Sequence, residues 1–316
     1  MSSVPIETYE TLQVSRSMAT KQMRSITSPK ACFVVMGGMD VGRIIALEEP
    51  VIIIGRDAKC SVVFQDDGVS RFHLEVRSES ADSVIIRDLG STNGTFMGGK
   101  QISKAKLHDG AKILIGRRTI LKFTFLDELD YNFQQQMYET STRDGLTGVY
   151  NRRYFSKKII ADLSFAKRRQ IPCTLVILDI DHFKKVNDTY GHRTGDQVLI
   201  TVTKALGNVI RKEDILARYG GEEFVVIAQG TDMKDGESLG ERIQLCVAEQ
   251  RIPALDDPTK IIKVTVSVGI ATVPIGASVG SDVLISTADA NLFRAKQLGR
   301  NQVVTSTVSS IPVKKK

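Results

Sequence analysis

Two patterns of hydrophobic and polar positions divide the chain into two regions. Between residues 30 and 126, short runs of β-branched and aromatic residues alternate with turn-forming glycine, aspartate and asparagine. We predict strands at residues 31–36, 51–54, 61–64, 73–77, 84–87 and 121–125. Many short strands at this spacing are typical of an all-β sandwich, which we place at residues 29–126. Residues 1–28 are rich in polar residues and lack apolar periodicity, and this composition predicts a flexible tail.

From residue 144 to residue 306 the pattern changes to strands that alternate with longer helices. The predicted helices are 152–168, 199–209, 236–250 and 282–298, and the predicted strands are 174–179, 215–219, 224–228 and 263–272. This interleaving predicts an α/β domain in which helices cover a sheet. We therefore expect a multidomain chain, a sandwich followed by an α/β domain. Residues 307–316 follow as a basic C-terminal tail.

The segment between the two predicted domains, residues 127–143, contains neither glycine nor proline. Leu126, Leu129, Phe133 and Met137 recur at steps of three and four residues, which predicts a helix with one apolar stripe. The stripe has two interpretations that the sequence does not separate. It packs on a neighbouring domain, or it forms a stalk that pairs two protomers.

Composition narrows the class of protein. Of the 316 residues, 42% are hydrophobic and 25% are charged, which is ordinary for a globular protein. No apolar run approaches the ~18 residues that a membrane helix needs, so we expect no membrane insertion and a cytoplasmic location. The net charge of +7 is spread along the chain and calls for no nucleic-acid partner. The four cysteines show no CxxC spacing, so neither a zinc site nor a disulfide framework is indicated.

Three short motifs in the β-rich region carry side chains suited to binding phosphate. They are Gly55-Arg56, Ser70-Arg71-Phe72-His73 and Ser91-Thr92-Asn93-Gly94-Thr95. A guanidinium offers a bidentate, charge-assisted pair of donors, and hydroxyl and amide groups add further hydrogen bonds. In this order the motifs resemble the forkhead-associated (FHA) domain, a β-sandwich that binds phosphothreonine peptides. The resemblance covers roughly residues 29–126.

The FHA resemblance implies a role for each matching polar residue. Arg56 and Ser70 match the residues that grip the phosphate, and Asn93 matches the residue that holds the peptide. Arg71 and Thr92 are expected to support them.

The same resemblance gives Gly55 and His73 structural roles in shaping the loops. The expected partners are a phosphothreonine peptide, from the chain's own tail or from another protein, and the Ser/Thr kinase that makes it. Among the threonines of the tail we rank Thr11 first, because Val14 follows it by three residues and FHA domains commonly discriminate at that position.

Acidic residues mark two strands of the predicted α/β domain. Asp179 ends a hydrophobic strand, where a carboxylate is costly unless it is solvated, paired or bound to metal. Gly220-Gly221 lie between two apolar strands and predict a tight turn that lets a ligand approach the backbone, with Glu222 directly after them. If the strands are neighbours, Asp179 and Glu222 converge. Two carboxylates and substrate phosphates are how magnesium is usually held.

The same residues carry a resemblance to a second family. The stretch Gly220-Gly221-Glu222-Glu223-Phe224 is an accepted form of the GGDEF motif, and residues 141–305 resemble a diguanylate cyclase domain throughout. Further matching motifs lie at residues 144–153, 195–196, 267–271 and 288–293. This family has a palm-like, ferredoxin-like fold related to nucleotide cyclases. It condenses two GTP molecules into cyclic di-GMP with release of two pyrophosphates, each subunit of a homodimer presenting one GTP.

The GGDEF resemblance implies the catalytic and metal-binding residues. Asp179, the Ile180 carbonyl and Glu222 would hold two Mg²⁺ ions per active site, with Mn²⁺ as the alternative metal. Glu222 is also expected to take the proton of the attacking 3′-hydroxyl, and Glu223 to support the metals.

The resemblance also implies contacts with GTP. The matching residues are Gly220, Gly221, Phe183, Lys184, Asn187, His192, Asp196, Lys296 and Arg300. Asn187 and Asp196 match the guanine readers, and Lys296 and Arg300 would neutralise phosphates. His192 has the alternative role of packing at the start of a helix.

A further motif lies shortly before the glycine turn. Arg211-Lys212-Glu213-Asp214 resembles the RxxD site at which the family binds its own product, and Arg242 matches a second arginine of that site. We favour this product site because of its fixed distance from the glycine turn; the alternative is an ordinary solvated salt bridge between Arg211 and Asp214.

These resemblances together predict a product-inhibited diguanylate cyclase that is regulated by phosphothreonine recognition. Two alternatives stay open. The first is a non-catalytic GGDEF domain that senses cyclic di-GMP or GTP, and the second is a phosphothreonine-binding scaffold in which synthesis is secondary. The sequence leaves open the kinase, the phosphorylated ligand, the resting oligomeric state and the direction of the phosphorylation effect.

Overall fold

The structure, a computed structural model, describes residues 29–80 and 83–308. The chain divides into two compact units, Met1–Glu139 and Thr140–Lys316. The predicted N-terminal tail, with Thr11, and residues 309–316 lie outside the described residues. None of the described helices is long and apolar enough to cross a bilayer.

The N-terminal unit is a β-sandwich, which confirms the predicted fold class. Its strands are β1 (Lys30–Gly37), β2 (Ile44–Ala46), β3 (Val51–Gly55), β4 (Val62–Val63), β5 (Leu74–Ser80), β6 (Ser83–Asp88), β7 (Thr95–Met97), β8 (Lys100–Ile102), β9 (Lys104–Lys106), β10 (Lys112–Ile115) and β11 (Thr119–Leu126). One sheet has the order β2-β1-β11-β10-β7-β8 and the other β4-β3-β5-β6-β9.

Alternating side chains of the two sheets fill the core of the sandwich. In β10, Ile113 and Ile115 are fully buried while Lys112 is exposed, as the two-residue period of a strand requires. Phe33 of β1 meets Phe123 of β11 edge to face, with ring centroids 5.8 Å apart. Loops at one end of this core carry the predicted phosphate-binding motifs.

Helix α1 (Glu128–Thr142) follows the sandwich in sequence. Leu126, just before it, is buried, whereas Leu129, Phe133 and Met137 are 65%, 62% and 57% exposed. The predicted helix with its apolar stripe is therefore present. Packing on a neighbouring domain and pairing of two protomers stay the two interpretations of this stripe.

The C-terminal unit is a sheet covered by helices on both faces, and this confirms the α/β prediction. Its strands are β12 (Tyr150–Asn151), β13 (Cys173–Ile180), β14 (Ile215–Gly220), β15 (Glu223–Gln229), β18 (Val266–Val273) and β19 (Val303–Thr307), with β16 (Ile252–Pro253) and β17 (Ile261–Ile262) as a separate hairpin. Its helices are α2 (Arg152–Arg169), α3 (Phe183–Tyr190), α4 (His192–Val209), α5 (Met233–Ala248) and α6 (Ser281–Gln297). The sheet order is β12-β14-β15-β13-β18-β19.

Strand β13 lies at the centre of this sheet and all eight of its residues are buried. It pairs antiparallel with β15 and β18, and the register places Asp179 opposite Glu223 on one side and Ser267 on the other. Helices α3, α4 and α5 cover one face, and α2 and α6 cover the other. The carboxyl end of β13 is thus fixed between two neighbouring strands, beside the turn that joins β14 to β15.

Candidate functional sites

The two predicted acidic residues meet at the end of β13. Asp179 is the penultimate residue of the strand, and the Ile180 amide next to it donates to the main-chain oxygen of Glu222 at 3.3 Å. Glu222 sits in the turn that follows Gly220 and Gly221. Lys296, in the last turn of α6, places its ammonium 2.8 Å from Asp179 Oδ2. The structure therefore brings together four elements, β13, β14, β15 and α6, around one carboxylate pair.

The electrostatics of this pair follow from burial and proximity. Burial raises the pKa of Asp179, and Lys296 opposes the shift by pairing with the carboxylate. Burial also raises the pKa of Glu222, and the nearby charge of Asp179 raises it further. Each carboxylate is thus less easily ionised than in water, and a cation placed between them would favour the ionised forms of both.

The donor set at this site suits a hard divalent cation. It consists of oxygens from Asp179, Glu222 and the Ile180 main chain, which are the ligand types that Mg²⁺ prefers. Over residues 29–80 and 83–308, no three or more His, Cys, Asp or Glu side chains converge as a metal cluster. A Mg²⁺ ion here would therefore need oxygens from phosphate or water, which is usual for nucleotide-bound magnesium.

The predicted guanine readers lie on α3 and α4. A Cβ atom added to Gly195 would lie 1.9 Å from Asn187 Oδ1, so the Asn187 amide rests directly on the glycine that precedes Asp196. Asp196 is exposed and Asn187 is half-buried. The structure thus brings these two residues together at one edge of the unit, close in sequence to the end of β13.

The remaining predicted GTP contacts differ in accessibility. Phe183 is buried in the core, so only its main chain is available to a ligand, whereas the side chains of Lys184, His192 and Arg300 are exposed. His192 opens α4, and its exposure does not support the alternative of packing at the helix start.

Sequence reasoning missed a residue that fixes the glycine turn. Arg218 of β14 donates from Nε and Nη2 to the Gly221 carbonyl at 3.0 and 2.7 Å. Its Nη1 also pairs with both oxygens of Asp144, at 3.1 and 3.2 Å. Asp144 is held in turn by the main chain and hydroxyl of Thr147. The residues flank quoted motifs, but only the fold shows that they touch.

The predicted inhibitory residues also come together. Arg211, Asp214 and Arg242 line one cleft of about 50 Å³. The Arg211 amide donates to Asp214 Oδ2 at 2.9 Å, and burial raises the pKa of Asp214. Asp214 Oδ1 is buried and has no hydrogen-bond partner among the described residues. Arg211 contacts the aspartate through its main chain, so no side-chain salt bridge of the ordinary surface kind forms between them.

In the N-terminal unit the phosphate-binding motifs form one cluster of loops. The Arg56 amide donates to the carbonyls of Ser70 and Arg71, both at 3.0 Å. Ser70 Oγ accepts from the Thr92 amide at 2.9 Å, and Asn93 Nδ2 donates to Gly68 O at 2.8 Å. All five predicted ligand residues therefore belong to the same end of the sandwich.

Gly55 and His73 have the structural roles expected of them. A Cβ on Gly55 would lie 2.1 Å from Arg71 O, so only glycine permits this approach of the loops. His73 is fully buried, accepts from the Ser70 amide at Nδ1 and faces Gly94 O with Nε2 at 3.3 Å. Burial lowers the pKa of His73, which favours the neutral ring that these two contacts require.

Asp88 was not predicted, yet it orders the Ser91–Thr95 loop. It accepts from both hydroxyls, Ser91 Oγ and Thr95 Oγ1, at 2.6 Å. Burial alone would raise the pKa of Asp88, but these hydrogen bonds outweigh burial and hold it below its usual range. Asp88 lies three residues before Ser91, and its Oδ1 also accepts from the amides of Gly90 and Ser91.

Comparison with known proteins agrees with both halves of the chain. The family model for the diguanylate cyclase GGDEF domain matches residues 141–302, just over half of the chain, and the FHA domain model matches residues 52–116. A probable diguanylate cyclase of Escherichia coli K12, DgcT, is 42% identical over 168 residues, covering 52% of this chain and 36% of that protein. The response regulator PleD of Caulobacter vibrioides is 35% identical over 180 residues, covering 57% of this chain and 39% of PleD. The chain thus spans about two fifths of the length of these relatives.

Solved structures show the same likeness. The coiled coil and GGDEF domain of DgcB from Caulobacter crescentus, solved with c-di-GMP, superposes with a TM-score of 0.52 at 32% identity, over 56% of this chain and 91% of that one. Diguanylate cyclase SiaD from Pseudomonas aeruginosa, in complex with its activator SiaC, gives a TM-score of 0.50 at 32% identity, over 57% and 67%. With Asp179 of β13 beside Glu222 of the glycine turn, and a β-sandwich earlier in the sequence, this chain belongs to the family of diguanylate cyclase GGDEF-domain proteins and also carries an FHA domain.

Proposed function

We propose that the protein is a diguanylate cyclase that condenses two GTP molecules into cyclic di-GMP and two pyrophosphates. The observation that carries the proposal is the convergence of Asp179 and Glu222 beside a glycine turn, with Lys296 paired to Asp179. The site places carboxylates that would hold cations beside a lysine that would hold phosphate. This arrangement suits attack of a 3′-hydroxyl on an α-phosphate.

Each residue of the site has a part in this chemistry. Bound Mg²⁺ would supply charge stabilisation for the attacking and leaving oxygens. Glu222, whose raised pKa brings it closer to neutrality, is suited to take the proton of the 3′-hydroxyl, and Glu223 stands beside it. Lys296 and Arg300 neutralise phosphate charge, and the open space at Gly221 admits the nucleotide.

The remaining GTP contacts set specificity and geometry. Asn187 and the exposed Asp196 carboxylate are placed to read guanine, since an acceptor carboxylate suits the N1–H and amino group of that base. Main-chain amides at Phe183 and Lys184 would meet phosphates, and His192 lies at the rim. Because one subunit holds one GTP, catalysis needs a homodimer in which two such sites face each other.

The test is to incubate the full chain with GTP and Mg²⁺ and to identify cyclic di-GMP by chromatography. We expect product from the parent protein and none from Glu222→Gln, which removes a charge without changing volume. Glu237→Gln, an exposed acid on α5, is the matched control and retains activity. Binding of cyclic di-GMP or GTP by the parent without any turnover would instead establish the alternative of a non-catalytic receptor.

A second part of the proposal is product inhibition at the cleft of Arg211, Asp214 and Arg242. The observation in its favour is the buried, unpartnered Asp214 Oδ1 between two arginines, because such an atom is costly unless a ligand satisfies it. Cyclic di-GMP offers both guanine donors for the aspartate and phosphates for the arginines.

The third part is regulation by the FHA domain through phosphothreonine recognition. A phosphate carries about −1.5 to −2 charges at pH 7 and would dock on Arg56 and Ser70, with Asn93 on the peptide. The ligand is the chain's own tail, with Thr11 as the first candidate, or a segment of another protein phosphorylated by a Ser/Thr kinase.

Titration of phosphorylated and unmodified Thr11 peptides against the full chain tests this part. We expect binding of the phosphorylated form only, and its loss in Arg56→Ala. No binding of any tail phosphopeptide would refute self-recognition and leave another protein as the ligand. Phosphopeptide binding without any effect on GTP turnover would favour the scaffold alternative.

A further inference from the structure

A second buried carboxylate lies just beyond the end of β13. Asp181 is 5% exposed and two residues from Asp179, and three donors of the protein contact it. It accepts from Thr265 Oγ1 at 2.6 Å, from Ser267 Oγ at 2.7 Å and from the Asn301 amide at 3.1 Å. Both side-chain oxygens of Asp181 are therefore engaged by hydroxyl and amide donors, whereas Asp179 pairs with the Lys296 ammonium through Oδ2.

The Asn301 contact fixes an unusual turn. Arg300 and Asn301 both have left-handed backbone conformations, with φ of +67° and +48°. Two consecutive non-glycine residues in this region are strained, and such strain persists only where surrounding contacts determine it. Asp181 supplies one of these contacts from the sheet, and Gln244 of α5 supplies another by donating to the Asn301 carbonyl and Oδ1 at 3.0 and 2.9 Å. The Arg300 amide also donates to the Ala295 carbonyl of α6 at 3.0 Å.

The Arg300–Asn301 turn places the positive charge of Arg300 near the carboxylate pair. The charge of Arg300 lowers the pKa of Asp179, although less than Lys296 does, so the guanidinium lies within electrostatic reach of that carboxylate. Arg300 is exposed, and its side chain has several rotatable bonds. Its direction is consequently set by the backbone that Asp181 and Gln244 hold.

We propose that Asp181 is a positioning residue, which clamps the Arg300–Asn301 turn so that the Arg300 guanidinium faces the triphosphate of a nucleotide bound at Asp179 and Glu222. The proposal rests on the proposed function, because it concerns the same nucleotide site. Asp181 acts through hydrogen bonds and not as a ligand of metal or nucleotide. Its role is therefore transferable to any side chain that can accept from the Asn301 amide.

Because Asp181 is proposed to act through hydrogen bonds, the test variants differ in the hydrogen bonds that they can form. Asp181→Ala removes every acceptor and releases the turn. Asp181→Asn keeps one carboxamide oxygen for the Asn301 amide, while its NH₂ can donate to Ser267, whose hydroxyl can accept. Thr174→Val is the matched control, because Thr174 is a buried hydrogen-bonding residue at the opposite end of β13, with contacts to Thr231 and Thr272.

The experiment measures the affinity of the full chain for a GTP analogue with a methylene bridge between the α- and β-phosphates, by calorimetry in Mg²⁺. We expect Asp181→Ala to raise Kd about tenfold, the size of one lost charge-assisted contact. We expect Asp181→Asn and Thr174→Val to stay within about threefold of the parent, with thermal melting to confirm folding. In an Arg300→Ala background, Asp181→Ala should have no further effect on Kd.

Two results would overturn the proposal. One is an equal loss of affinity from Asp181→Ala with and without Arg300, and the other is an Asp181→Asn variant as weak as Asp181→Ala. Should Asp181→Ala fail to fold, Gln244→Ala releases the other side of the turn, and an unchanged Kd in that variant is equally contradictory. Parent protein that binds the analogue but makes no cyclic di-GMP would refute the cyclase, while the Kd ratios would still decide the role of Asp181.

Discussion

Replacing Gly195 by alanine tests whether Asn187 reads the nucleotide. The added Cβ would lie 1.9 Å from Asn187 Oδ1, 3.0 Å from Asn187 Cγ and 3.3 Å from Phe183 Cζ. Non-bonded carbon and oxygen atoms need more than 3 Å, so the amide must move by about 1 Å or more. Phe183 limits the retreat because it is part of the core.

The magnitude follows from the bonds that the amide would lose. Two hydrogen bonds to the base contribute about 0.5–1.5 kcal/mol each, so the loss is roughly 1–3 kcal/mol. We expect the KM for GTP to rise about 10- to 100-fold, with kcat changed less because the carboxylate pair is not displaced. The assay is steady-state cyclic di-GMP synthesis over a range of GTP concentrations, with thermal melting alongside.

Gly207 of the same helix provides the control, since a Cβ there meets nothing within 4 Å. Gly207→Ala should stabilise α4 by about 0.5–1 kcal/mol and leave KM unchanged. A folded Gly195→Ala variant with parental KM would show that the position of the Asn187 amide is irrelevant to GTP binding. The assignment of Asn187 as a guanine reader would then be wrong.

Three further predictions address the other sites. In EDTA, Glu222→Gln should raise the melting temperature at pH 7 but not below about pH 4. The reason is that the folded-state pKa of Glu222 is raised, so the parent protein loses stability as the pH rises through that pKa. Arg211→Ala should raise the concentration of cyclic di-GMP needed for half-inhibition at least about tenfold, whereas the neighbouring Lys212→Ala should not; equal inhibition of both variants would exclude the cleft as the product site. Gly55→Ala, whose Cβ meets Arg71 O, should destabilise the N-terminal unit by about 3 kcal/mol in urea titration and abolish phosphopeptide binding, and a parental unfolding curve would contradict the close approach.

Hydrophobic patterning predicted many of the elements that the core requires, although not β10, whose Ile113 and Ile115 are fully buried. The runs at residues 31–36 and 174–179 are β1 and β13, because buried strands need continuous or alternating apolar residues. Strands β8 (Lys100–Ile102) and β9 (Lys104–Lys106) were not predicted. They are three residues long and mostly exposed, so their sequences carry no periodic signal.

The residues of the candidate sites also differ in how far the sequence predicted their positions. Asp179 and Glu222 stand in motifs that are local in sequence, and their convergence was predicted on the condition that their strands are neighbours, which the sheet order meets. Asp181 was visible in the same motif, but its partners lie 84 to 120 residues away in sequence. Which of two nearby aspartates faces a ligand and which faces the protein is decided by strand pairing, and one sequence does not reveal that choice.

The contacts of Arg218 and Asn151 bear on how a signal can enter the catalytic unit. Asn151 donates to the carbonyls of Ser141 and Arg143 at the end of α1, and its Oδ1 caps the start of α2 by accepting from the Tyr154 amide. One residue further along the chain from Arg143, Asp144 is bound to the arginine that grips the glycine turn. The end of the helix, the start of α2 and the catalytic turn are therefore tied to one another by side chains on both sides. A displacement of the end of α1 would accordingly be transmitted through these side chains to the start of α2 and to the glycine turn.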